Sequence, residues 1–398
     1  MVCMNRRRIV RRYGLPVCAF LLLSTMTLML SGCGSFFQCE GKASCPGIGP
    51  SPSPSPSTVN YAYVANSVTG STYINGYTLA SGSLTPTTGA PYLLGHTPSA
   101  MAVTPSNTIL YIAASATASS PGAIYGYTIG TGGALTILSS NGASELAIES
   151  TTSIDISPDG KWLFALNVDG ITLDEYSIST STGFLTPAAE YNITGAANGV
   201  VTPASVKVAP TGNYIVVALG TAGAETFAFN TSTGLAVLST LISPSTLSTG
   251  IYAVAVDSNN YLYCVGTAGL QVFSTTTAGA ATFLKTYTTG KGAHSLVVNG
   301  TSTYVYVGNE VDSTISGYAI GTSGALTALT GSPYPAPTTV TALARDSKSA
   351  YVIASGYDAT SGIQLFSIGS TGALTLTSSG SAGSGTATAI PGEIAATH

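Results

Sequence analysis

A short motif recurs seven times along the chain, and its spacing restricts the fold more than any other feature of the sequence. Each copy places a glycine ahead of leucine, threonine and small residues. The copies are ASGSLTPT (80–87), TGGALTIL (131–138), TGFLTPAA (182–189), TGLAVLST (233–240), AGAATFLK (278–285), TSGALTAL (322–329) and TGALTLTS (371–378). Their glycines, from Gly82 to Gly372, lie 45 to 51 residues apart. A repeat of this length is typical of propellers and solenoids.

Each repeat also has the pattern of four short strands. A short apolar strand such as SAMAVTP (99–105) is followed by a turn and by a β-branched and aromatic strand such as YIVVAL (214–219). A third strand has aromatic residues at alternate positions, as in IYGYTI (124–129), and the glycine motif introduces the fourth. This alternation with period two is typical of antiparallel strands. The sequence therefore predicts an all-β fold, a seven-bladed β-propeller of four-stranded antiparallel blades.

The two ends of the repeat array indicate how the ring closes. The array begins at VNYAYVANS (59–67), which resembles the second strand of a repeat, and it ends at PGEIAATH (391–398), which matches a first strand. We therefore expect the C-terminal strand to complete the first blade from inside, so that no strand edge remains open. An open β-solenoid is the alternative, but its repeats are usually shorter and more regular.

Residues 1–32 have the pattern of a bacterial signal peptide. The basic stretch NRRRIVRR precedes the apolar run LPVCAFLLLSTMTLML, which is shorter than the roughly 20 residues that span a bilayer. The run ends in LSGC (30–33), which resembles the lipobox of bacterial lipoproteins. This resemblance implies that Cys33 is lipidated and anchors the protein to a membrane; a simple signal-anchor helix is the alternative. The expected location is the bacterial cell envelope, outside the cytoplasm, with the outer membrane or periplasm favoured because Gly34 follows the cysteine.

Residues 33–58 form a predicted stalk between the lipid anchor and the propeller. The segment SPSPSPS (51–57) favours extended polyproline II structure and would act as a semi-rigid spacer. Cys39 and Cys45 also lie in this stalk. Because exported cysteines commonly pair and no other metal ligand is nearby, these two are candidates for a small disulfide loop.

The predicted propeller, residues 59–398, is acidic and poor in charged residues. It contains six lysines and arginines and fifteen acidic residues, for a net charge of −9. It has no basic stripe, so nucleic acid is not an expected partner. Motifs for a serine nucleophile elbow, a zinc protease and a P-loop are absent. With three histidines in the whole chain, no metal centre and no cofactor are expected.

Several segments resemble one known family of propellers. YVAN (63–66), ISPDG (156–160), YVYVGNE (304–310) and the sevenfold glycine motif look like the seven-bladed β-propeller lactonase family, which includes 6-phosphogluconolactonase-like enzymes. The same segments are similar to the YVTN-repeat propellers of microbial surfaces. The resemblance extends over residues 59–398 and implies a site near the central opening of the ring.

The resemblance also implies candidate site residues. A histidine before an inner strand and an Asn-Glu pair after the next strand recur near the family's central opening, and here they fall on His294, Asn309 and Glu310. The family's arginine after the second strand of the following repeat is missing, since ASGYD (354–358) stands there. Arg345 is near this position in the sequence and is the candidate substitute. Without the family's arginine, recognition of a phosphorylated sugar lactone is not expected.

The first residues of the inner strands are expected to form a ring at one mouth of the propeller channel. The candidate binding residues of this ring are Ser99, Ser153, Ser205, Tyr252, His294 and Thr341, with Glu393 beside it in the closing strand. His294 or Glu310 could activate a water molecule as a general base. Glu310 and Glu393 could instead bind Ca²⁺ through oxygen ligands. The structural alternatives are that His294 is a hydrogen-bonded channel residue and that Glu310 and Asp312 satisfy turn amides.

These observations predict a lipid-anchored extracytoplasmic propeller that acts as a binding or surface-interaction module. Its ligand is expected to be a protein, a glycan or a small molecule, and its channel a degenerate form of the lactonase site. The alternative is a lactonase-like hydrolase that opens an unphosphorylated lactone or related cyclic ester with His294 and Glu310. A mainly structural role in the cell envelope is the third hypothesis. The membrane, reached through Cys33, is the most specific partner that the sequence predicts.

Overall fold

The computed structural model describes residues 60–397, and its gaps are 69–70, 95, 116–121, 139–144, 149, 169–170, 196–199, 244–249, 358–361 and 382–393. The predicted signal peptide, Cys33, Cys39, Cys45 and Glu393 therefore lie outside the described residues. In the part of the chain that is described, no helix is long and apolar enough to cross a membrane. The regular structure of that part consists of strands and two single-turn 3₁₀ helices, which confirms the predicted all-β class.

The strands form seven antiparallel sheets that follow one another along the chain, one for each predicted blade. Blade 1 contains β1 (Asn60–Val68), β2 (Ser71–Ala80), β3 (Ser83–Pro86) and β4 (Tyr92–Leu93). Blade 2 contains β5 (Pro98–Val103), β6 (Ile109–Ala114), β7 (Gly122–Ile129), β8 (Leu135–Ile137) and β9 (Glu145–Ile148). Blade 3 contains β10 (Thr151–Ile156), β11 (Trp162–Asn167), β12 (Thr172–Ile178) and β13 (Leu185–Asn192).

Blades 4 to 7 continue the same order. Blade 4 contains β14 (Ser205–Val208), β15 (Tyr214–Ala218), β16 (Ala224–Asn230) and β17 (Leu235–Ile242). Blade 5 contains β18 (Ile251–Val256), β19 (Tyr261–Gly266), β20 (Gly269–Thr275) and β21 (Ala281–Tyr287). Blade 6 contains β22 (Ala293–Val298), β23 (Tyr304–Asn309), β24 (Thr314–Ile320), β25 (Leu326–Ala328) and β26 (Tyr334–Pro335). Blade 7 contains β27 (Ala342–Arg345), β28 (Tyr351–Ser355), β29 (Ile363–Ile368) and β30 (Leu374–Gly380), and the chain ends with β31 (Ile394–Ala396). The 3₁₀ helices, Thr131–Gly133 and Thr322–Gly324, lie in the glycine motifs of blades 2 and 6.

The C-terminal strand closes the ring inside blade 1, as predicted. β31 pairs antiparallel with β1, placing Ile394 opposite Val64, and the sheet order of blade 1 is β3-β2-β1-β31. Just after the strand, the backbone N–H of Thr397 donates to the carbonyl of Tyr61 at 2.9 Å. β31 also contacts β5 and β27, the inner strands of the two neighbouring blades. Blade 1 is thus built from both ends of the described chain, and the inner edge of β1 is paired.

The core of the propeller lies between its blades. Second strands such as β15 are buried along their whole length, and Phe164 of blade 3 packs edge-on against Phe229 of blade 4 with ring centroids 5.0 Å apart. Inner strands alternate, because successive side chains of a strand point to opposite faces. In β14 the two valines are buried, while Ser205 and Lys207 are half-buried beside the channel. Tyrosines from the alternating aromatic pattern of the third strands are buried; they are Tyr77, Tyr127, Tyr176 and Tyr318.

The motif glycines bring neighbouring blades into close contact. Gly324 of blade 6 has φ +73°, and a Cβ added there would lie 2.6 Å from the ring of Tyr261 in blade 5. A Cβ added at Gly372 would likewise lie against the ring of Tyr304 in blade 6. The carbonyl of Gly372 accepts a hydrogen bond from the Tyr306 hydroxyl at 2.8 Å. All seven motif glycines have a left-handed backbone, and at five of them an aromatic ring of the preceding blade also packs on the glycine; these are Gly133, Gly234, Gly279, Gly324 and Gly372.

We expect Gly324→Ala to destabilise the fold more than Gly82→Ala. Gly82 has a similar positive φ of +77°, but the nearest atom to an added Cβ belongs to Thr377 at 3.5 Å. Gly82→Ala should therefore cost about 1 kcal/mol for backbone strain alone, and Gly324→Ala about 1–3 kcal/mol more for overpacking against Tyr261. Urea unfolding of the two variants measures this difference. Equal losses would contradict a stabilising contact between the motif glycine and the preceding blade.

Glu175 of β12 is a buried acid that faces the glycine motif of blade 4. Its side chain is 1% exposed, and its Oε2 accepts a hydrogen bond from the Tyr191 hydroxyl at 2.7 Å. Its Oε1 has no hydrogen-bond partner among the described residues. Burial raises the pKa of Glu175 from its ordinary value of 4.5 to about 7, against the opposing effect of the Tyr191 hydrogen bond.

Glu175→Gln is expected to stabilise the fold more as the pH rises. Because the folded pKa is raised, the wild-type side chain has its full stability below pH 4.5 and loses it progressively up to about pH 7. The glutamine variant should gain about 2–3 kcal/mol at pH 8 and much less at pH 5, while still accepting from Tyr191. Chemical denaturation at both pH values measures the gain. Glu190→Gln, at an exposed position on β13, is the matched control, and an equal gain at both pH values for Glu175→Gln would contradict the raised pKa of Glu175.

Candidate functional site

β-Bulges mark the start of four inner strands, at one mouth of the propeller channel. In each of these strands, one residue is left out of the ladder with the second strand; these residues are Ser99, Thr152, Tyr252 and His294. A bulge inserts an extra residue, bends the strand and redirects the side chain. Tyr252 and His294 come from neighbouring blades and stack, with ring centroids 5.6 Å apart and ring planes at 19°.

A cavity of about 340 Å³, named here the mouth cavity, occupies this end of the channel. Its polar lining residues are Ser153, Ser205, Lys207, Tyr252, His294, Ser295, Glu310, Thr341 and Tyr357. The cavity brings together both sequence-predicted catalytic candidates, His294 and Glu310. It also contains four of the predicted binding candidates, which are Ser153, Ser205, Tyr252 and Thr341. An imidazole, a carboxyl group and several hydroxyls therefore face one cavity.

Three other candidates do not line the mouth cavity. The Ser99 hydroxyl donates to the Ala113 carbonyl at 3.3 Å, within its own blade. Asn309 is fully buried, and its side-chain amide donates to two hydroxyls of β24 at 3.0 and 2.9 Å. It therefore braces the β23–β24 hairpin. Arg345 lines a separate cavity at the other end of the channel.

Glu310 and Asp312, which lie close together after β23, have different roles. The Asp312 carboxylate accepts a hydrogen bond from the backbone N–H of Lys291 at 2.7 Å, which is the turn role considered for these acids. The Glu310 side chain lines the mouth cavity and accepts a hydrogen bond from the Tyr357 hydroxyl. Burial, and after it the charge of Glu310, raises the pKa of Tyr357. The Tyr357 hydroxyl therefore stays protonated and acts as a donor.

His294 stands at the junction of two cavities. Its side chain is exposed, and in the part of the chain that the structure describes no protein group hydrogen-bonds its imidazole. A side cavity of about 490 Å³, formed mainly by the β19–β20 turn and by the segment that connects β21 to β22, shares Tyr252, His294 and Glu310 with the mouth cavity. A ligand in the mouth cavity can therefore contact the imidazole, and a larger one can extend past it.

Sequence reasoning missed two charged residues and one tyrosine of the channel. Lys207 lines the mouth cavity, and its Nζ lies 3.5 Å from Oδ1 of Asp155, which stands deeper in the channel. The other carboxylate oxygen of Asp155 accepts the backbone N–H of Val208 at 2.8 Å. The third missed residue is Tyr357, which lines the mouth cavity. It lies in the segment where the family resemblance implies an arginine. A signal for the charged pair was present, because Lys207 and Asp155 lie two residues after predicted ring serines and strands alternate with period two.

The described residues give no candidate metal centre. No group of three or more His, Cys, Asp or Glu side chains among them is arranged to hold a metal ion. The Ca²⁺ hypothesis from the sequence needed Glu393 as well as Glu310, and Glu393 lies outside the described residues. The chemistry of the mouth cavity is therefore considered through its own side chains.

Comparison with known families identifies the kind of propeller that carries this site. A family model described as "Lactonase, 7-bladed beta-propeller" matches residues 61–266, which is more than half of the chain. The chain belongs to this lactonase family. The match confirms the resemblance inferred from the sequence motifs. A comparison with curated protein sequences found no match.

Solved structures of other propellers share the lactonase-family fold. The periplasmic gluconolactonase of Pseudomonas aeruginosa aligns with a TM-score of 0.68 and 15% sequence identity, over 85% of this chain and 99% of that one. A protein from Lactobacillus plantarum aligns with a TM-score of 0.67 and 16% identity, over 84% and 99%. A candidate 6-phosphogluconolactonase from Bacteroides fragilis gives 0.64 and 15%, over 81% and 95%. At these identities the likeness concerns the fold alone, so the activity of this lactonase-family member has to be argued from its own residues.

Proposed function

We propose that this chain hydrolyses a small, hydroxylated and unphosphorylated lactone in the mouth cavity. The observation that carries the proposal is that His294 and Glu310 line one cavity together with a lysine, a protonated tyrosine and several hydroxyls. The sequence alone favoured a binding module, since the family's arginine is missing and the channel reads as degenerate. Lys207 lines the same cavity as His294, and this cation favours the hydrolase. A volume of about 340 Å³ is also within the range of pockets that enclose a small molecule.

Hydrolysis of a lactone adds water across the ring C–O bond. His294 removes a proton from the attacking water, whose oxygen forms a bond to the carbonyl carbon. The ring C–O bond then breaks, and the ring oxygen takes a proton from the imidazolium, which yields the open hydroxy acid. Glu310, oriented by Tyr357, accepts a hydrogen bond from the water or from a substrate hydroxyl.

The negative charge that develops on the carbonyl oxygen needs donors in place before the reaction. Ser153 is suited to this, because its Oγ accepts the Val206 N–H at 3.1 Å and keeps its own proton for a ligand. Ser205 lies in the neighbouring inner strand and lines the same cavity. Lys207, at the floor of the cavity, contributes positive charge to the same region.

The charge of the cavity favours a neutral substrate. Among the described residues no arginine lines it, and Lys207 shares its charge with Asp155. Phosphate recognition usually relies on arginine or several donors with full positive charge. We therefore expect glucono-1,5-lactone to be hydrolysed faster than its 6-phospho derivative. A spectrophotometric assay of a lactone panel tests the proposal, and rates no higher than spontaneous hydrolysis for every lactone would overturn it.

A binding role without turnover is the second candidate. It is favoured by the absence, among the described residues, of a protein group that orients the His294 imidazole, since a general base normally has such a partner. In that case sugars and lactones would raise the thermal stability of the protein without being converted, because a ligand that binds only the native state stabilises it. Thermal shift and the lactone assay on the same preparation separate the two functions.

The chain is proposed to act outside the cytoplasm, held to a bacterial membrane by lipid on Cys33. The support is the basic and apolar N-terminal segment that ends in LSGC, followed by a Pro/Ser-rich spacer up to residue 58. An extracytoplasmic lactonase also has a parallel in the periplasmic gluconolactonase of Pseudomonas aeruginosa, whose fold this chain shares. A lactone hydrolase in this place would act on exported or environmental sugar lactones.

Cys33→Ser is expected to release the protein from membranes. Several acyl chains on one cysteine give stable anchoring, whereas an unlipidated chain keeps no comparable attachment. Cell fractionation followed by immunoblotting measures the membrane-bound share of each variant. Cys39→Ser is the matched control, since it removes a nearby cysteine but leaves the lipobox intact, and it should stay in the membrane fraction. Continued tight membrane retention of Cys33→Ser would contradict the lipid anchor.

A further inference from the structure

The side cavity adjoins the proposed lactone site directly. Three residues line both spaces, which are Tyr252, His294 and Glu310. The side cavity, at about 490 Å³, is larger than the mouth cavity, at about 340 Å³. Both volumes are within the range of pockets that enclose a small molecule. A substrate whose lactone ring lies in the mouth cavity therefore has room to continue past His294 into the side cavity.

Two segments of blades 5 and 6 form the walls of the side cavity. One wall is the β19–β20 turn, in which Thr267 and Ala268 connect Gly266 to its ladder partner Gly269. The other wall is the segment 288–292, which leads from β21 toward β22. The second wall ends beside His294, so a group bound along it remains close to the imidazole.

Hydrogen bonds fix the second wall to the end of β23 and the residues that follow it. The backbone N–H of Lys291 donates to the Asp312 carboxylate at 2.7 Å, and the carbonyl of Gly292 accepts the backbone N–H of Glu310 at 2.8 Å. The wall that adjoins Glu310 is thus tied to the backbone of Glu310 itself. A wall that is already fixed lowers the entropy cost of binding a ligand against it.

The hydrogen-bonding groups that line the side cavity are mainly threonine hydroxyls. Thr286, Thr288 and Thr289 line it, and in the part of the chain that the structure describes no protein group hydrogen-bonds their hydroxyls. Lys291 lines it as well, is exposed, and forms no ion pair with the described residues. A hydroxyl both donates and accepts, and an ammonium group donates. These groups match the hydroxyls and ring oxygen of a sugar.

The same lining is poorly suited to an acyl chain. Among the described residues that line the side cavity there is no leucine, isoleucine, valine, methionine or phenylalanine, and the aliphatic ones are Ala268 and Ala293. An acyl chain binds through burial of its apolar surface, whereas a sugar binds through hydrogen bonds to groups such as these hydroxyls. The lining therefore favours a hydroxylated extension of the substrate.

We propose that the side cavity binds a glycosyl group carried by the lactone, so that the preferred substrate is the 1,5-lactone of a disaccharide aldonic acid. This inference rests on the proposed lactone hydrolysis and adds a second sugar to its substrate. The lactone ring lies in the mouth cavity, and the glycosyl group passes His294 to reach the threonines. Water opens the lactone ring as before, and the glycosidic bond stays intact. Binding of the unreacting sugar helps to orient the reacting ring, so it should raise kcat/KM.

Steady-state hydrolysis of cellobiono-1,5-lactone and glucono-1,5-lactone by the purified protein tests this inference. The disaccharide lactone should have a kcat/KM about tenfold or more higher, as expected from one or two additional hydrogen bonds. Thr288→Trp and Ala268→Trp each fill the side cavity from a different wall, and each should abolish this preference. Thr282→Trp, at an exposed position of β21 that does not line the side cavity, is the matched control and should retain the preference.

The outcomes separate this inference from the proposed function. Equal kcat/KM values for the two lactones, or a higher value for glucono-1,5-lactone, would overturn the glycosyl site and leave the hydrolase standing. A preference that persists in both tryptophan variants would overturn it too, as would faster hydrolysis of N-hexanoyl-homoserine lactone than of either sugar lactone. No turnover of any lactone would contradict the hydrolase and the substrate together. Circular dichroism shows whether each variant is folded, and if one tryptophan variant is not, the other carries the test.

Discussion

Replacing His294 by alanine should lower kcat/KM for the preferred lactone by a factor of about 10²–10⁴, the usual contribution of a general base. Histidine is the side chain that most often acts as a general base, and His294 is the histidine that lines the mouth cavity. Its loss removes water activation but leaves the hydroxyls of the cavity, so KM should change much less than kcat. Steady-state kinetics on the lactone found active in the panel measures both quantities.

His96→Ala is the matched control for this prediction. His96 also stacks on a tyrosine, Tyr125, with ring centroids 4.9 Å apart, but it does not line the mouth cavity. Both variants therefore lose an imidazole that stacks on a tyrosine, but only His294→Ala should lose activity. Full turnover in His294→Ala, or equal losses in both variants, would remove His294 from the reaction and favour the binding role.

The fold could be predicted from the sequence because its repeat encodes both the blade and the contact between blades. The motif glycine at 324 predicted a turn, and in the structure it also receives the ring of Tyr261 from the preceding blade. The tail could be recognised because Ile394 and its neighbours have the pattern of an inner strand, and no other strand of that kind was available to blade 1. In each blade the local strand and turn pattern agrees with the closed ring. Such agreement between local preference and global fold is what makes a sequence specify one structure.

The candidate site could be predicted only in part, because small shifts in strand register do not show in the spacing of residues. Ser205 was aligned with Tyr252, yet it pairs with β15 at the level of Ala253. Tyr252 is the extra residue of a β-bulge. Such a bulge shifts the pairing of the strand by one residue, and the alternation of residue types in the sequence does not reveal this shift. Lys207 follows Ser205 by two residues and shares its face, so the alternation within the strand could have indicated it.

Arg345 shows that closeness in sequence is a poor guide to closeness in a hairpin. It lies at the end of β27, whereas Ser355 and Tyr357 lie at the end of β28, which runs back in the opposite direction. Ser355 pairs with Ala342, which is three residues before Arg345 in β27. Three residues along a strand span about 10 Å. The hairpin therefore carries Arg345 to the cavity at the other end of the channel and Tyr357 to the mouth cavity, so Arg345 does not stand where the family resemblance implies a cation.

Removing the last five residues, from Ile394 to the C-terminus, should destabilise the propeller by at least about 5 kcal/mol, since a buried isoleucine alone accounts for about 2–5 kcal/mol and several backbone hydrogen bonds are lost with it. The deletion takes away β31, which is the whole inner strand of blade 1 in the structure. It also exposes the inner edge of β1 and removes the contacts that β31 makes with β5 and β27. An open strand edge is a template for pairing with other chains, so the truncated protein should aggregate.

Ile394→Ala and a chain lacking only His398 complete the experiment. The first keeps the backbone pairing of β31 and should lose about 2–4 kcal/mol through its side chain alone, whereas the second should behave as wild type because His398 lies beyond the strand. Urea unfolding and light scattering measure stability and aggregation for the three variants. The truncated chain should be worse than Ile394→Ala by both measures, since closure depends on the strand and not only on one apolar contact. A truncated chain that stays monodisperse with an unchanged unfolding midpoint would mean that the ring is stable without β31. The closed channel on which the placement of His294 and Glu310 depends would then be contradicted.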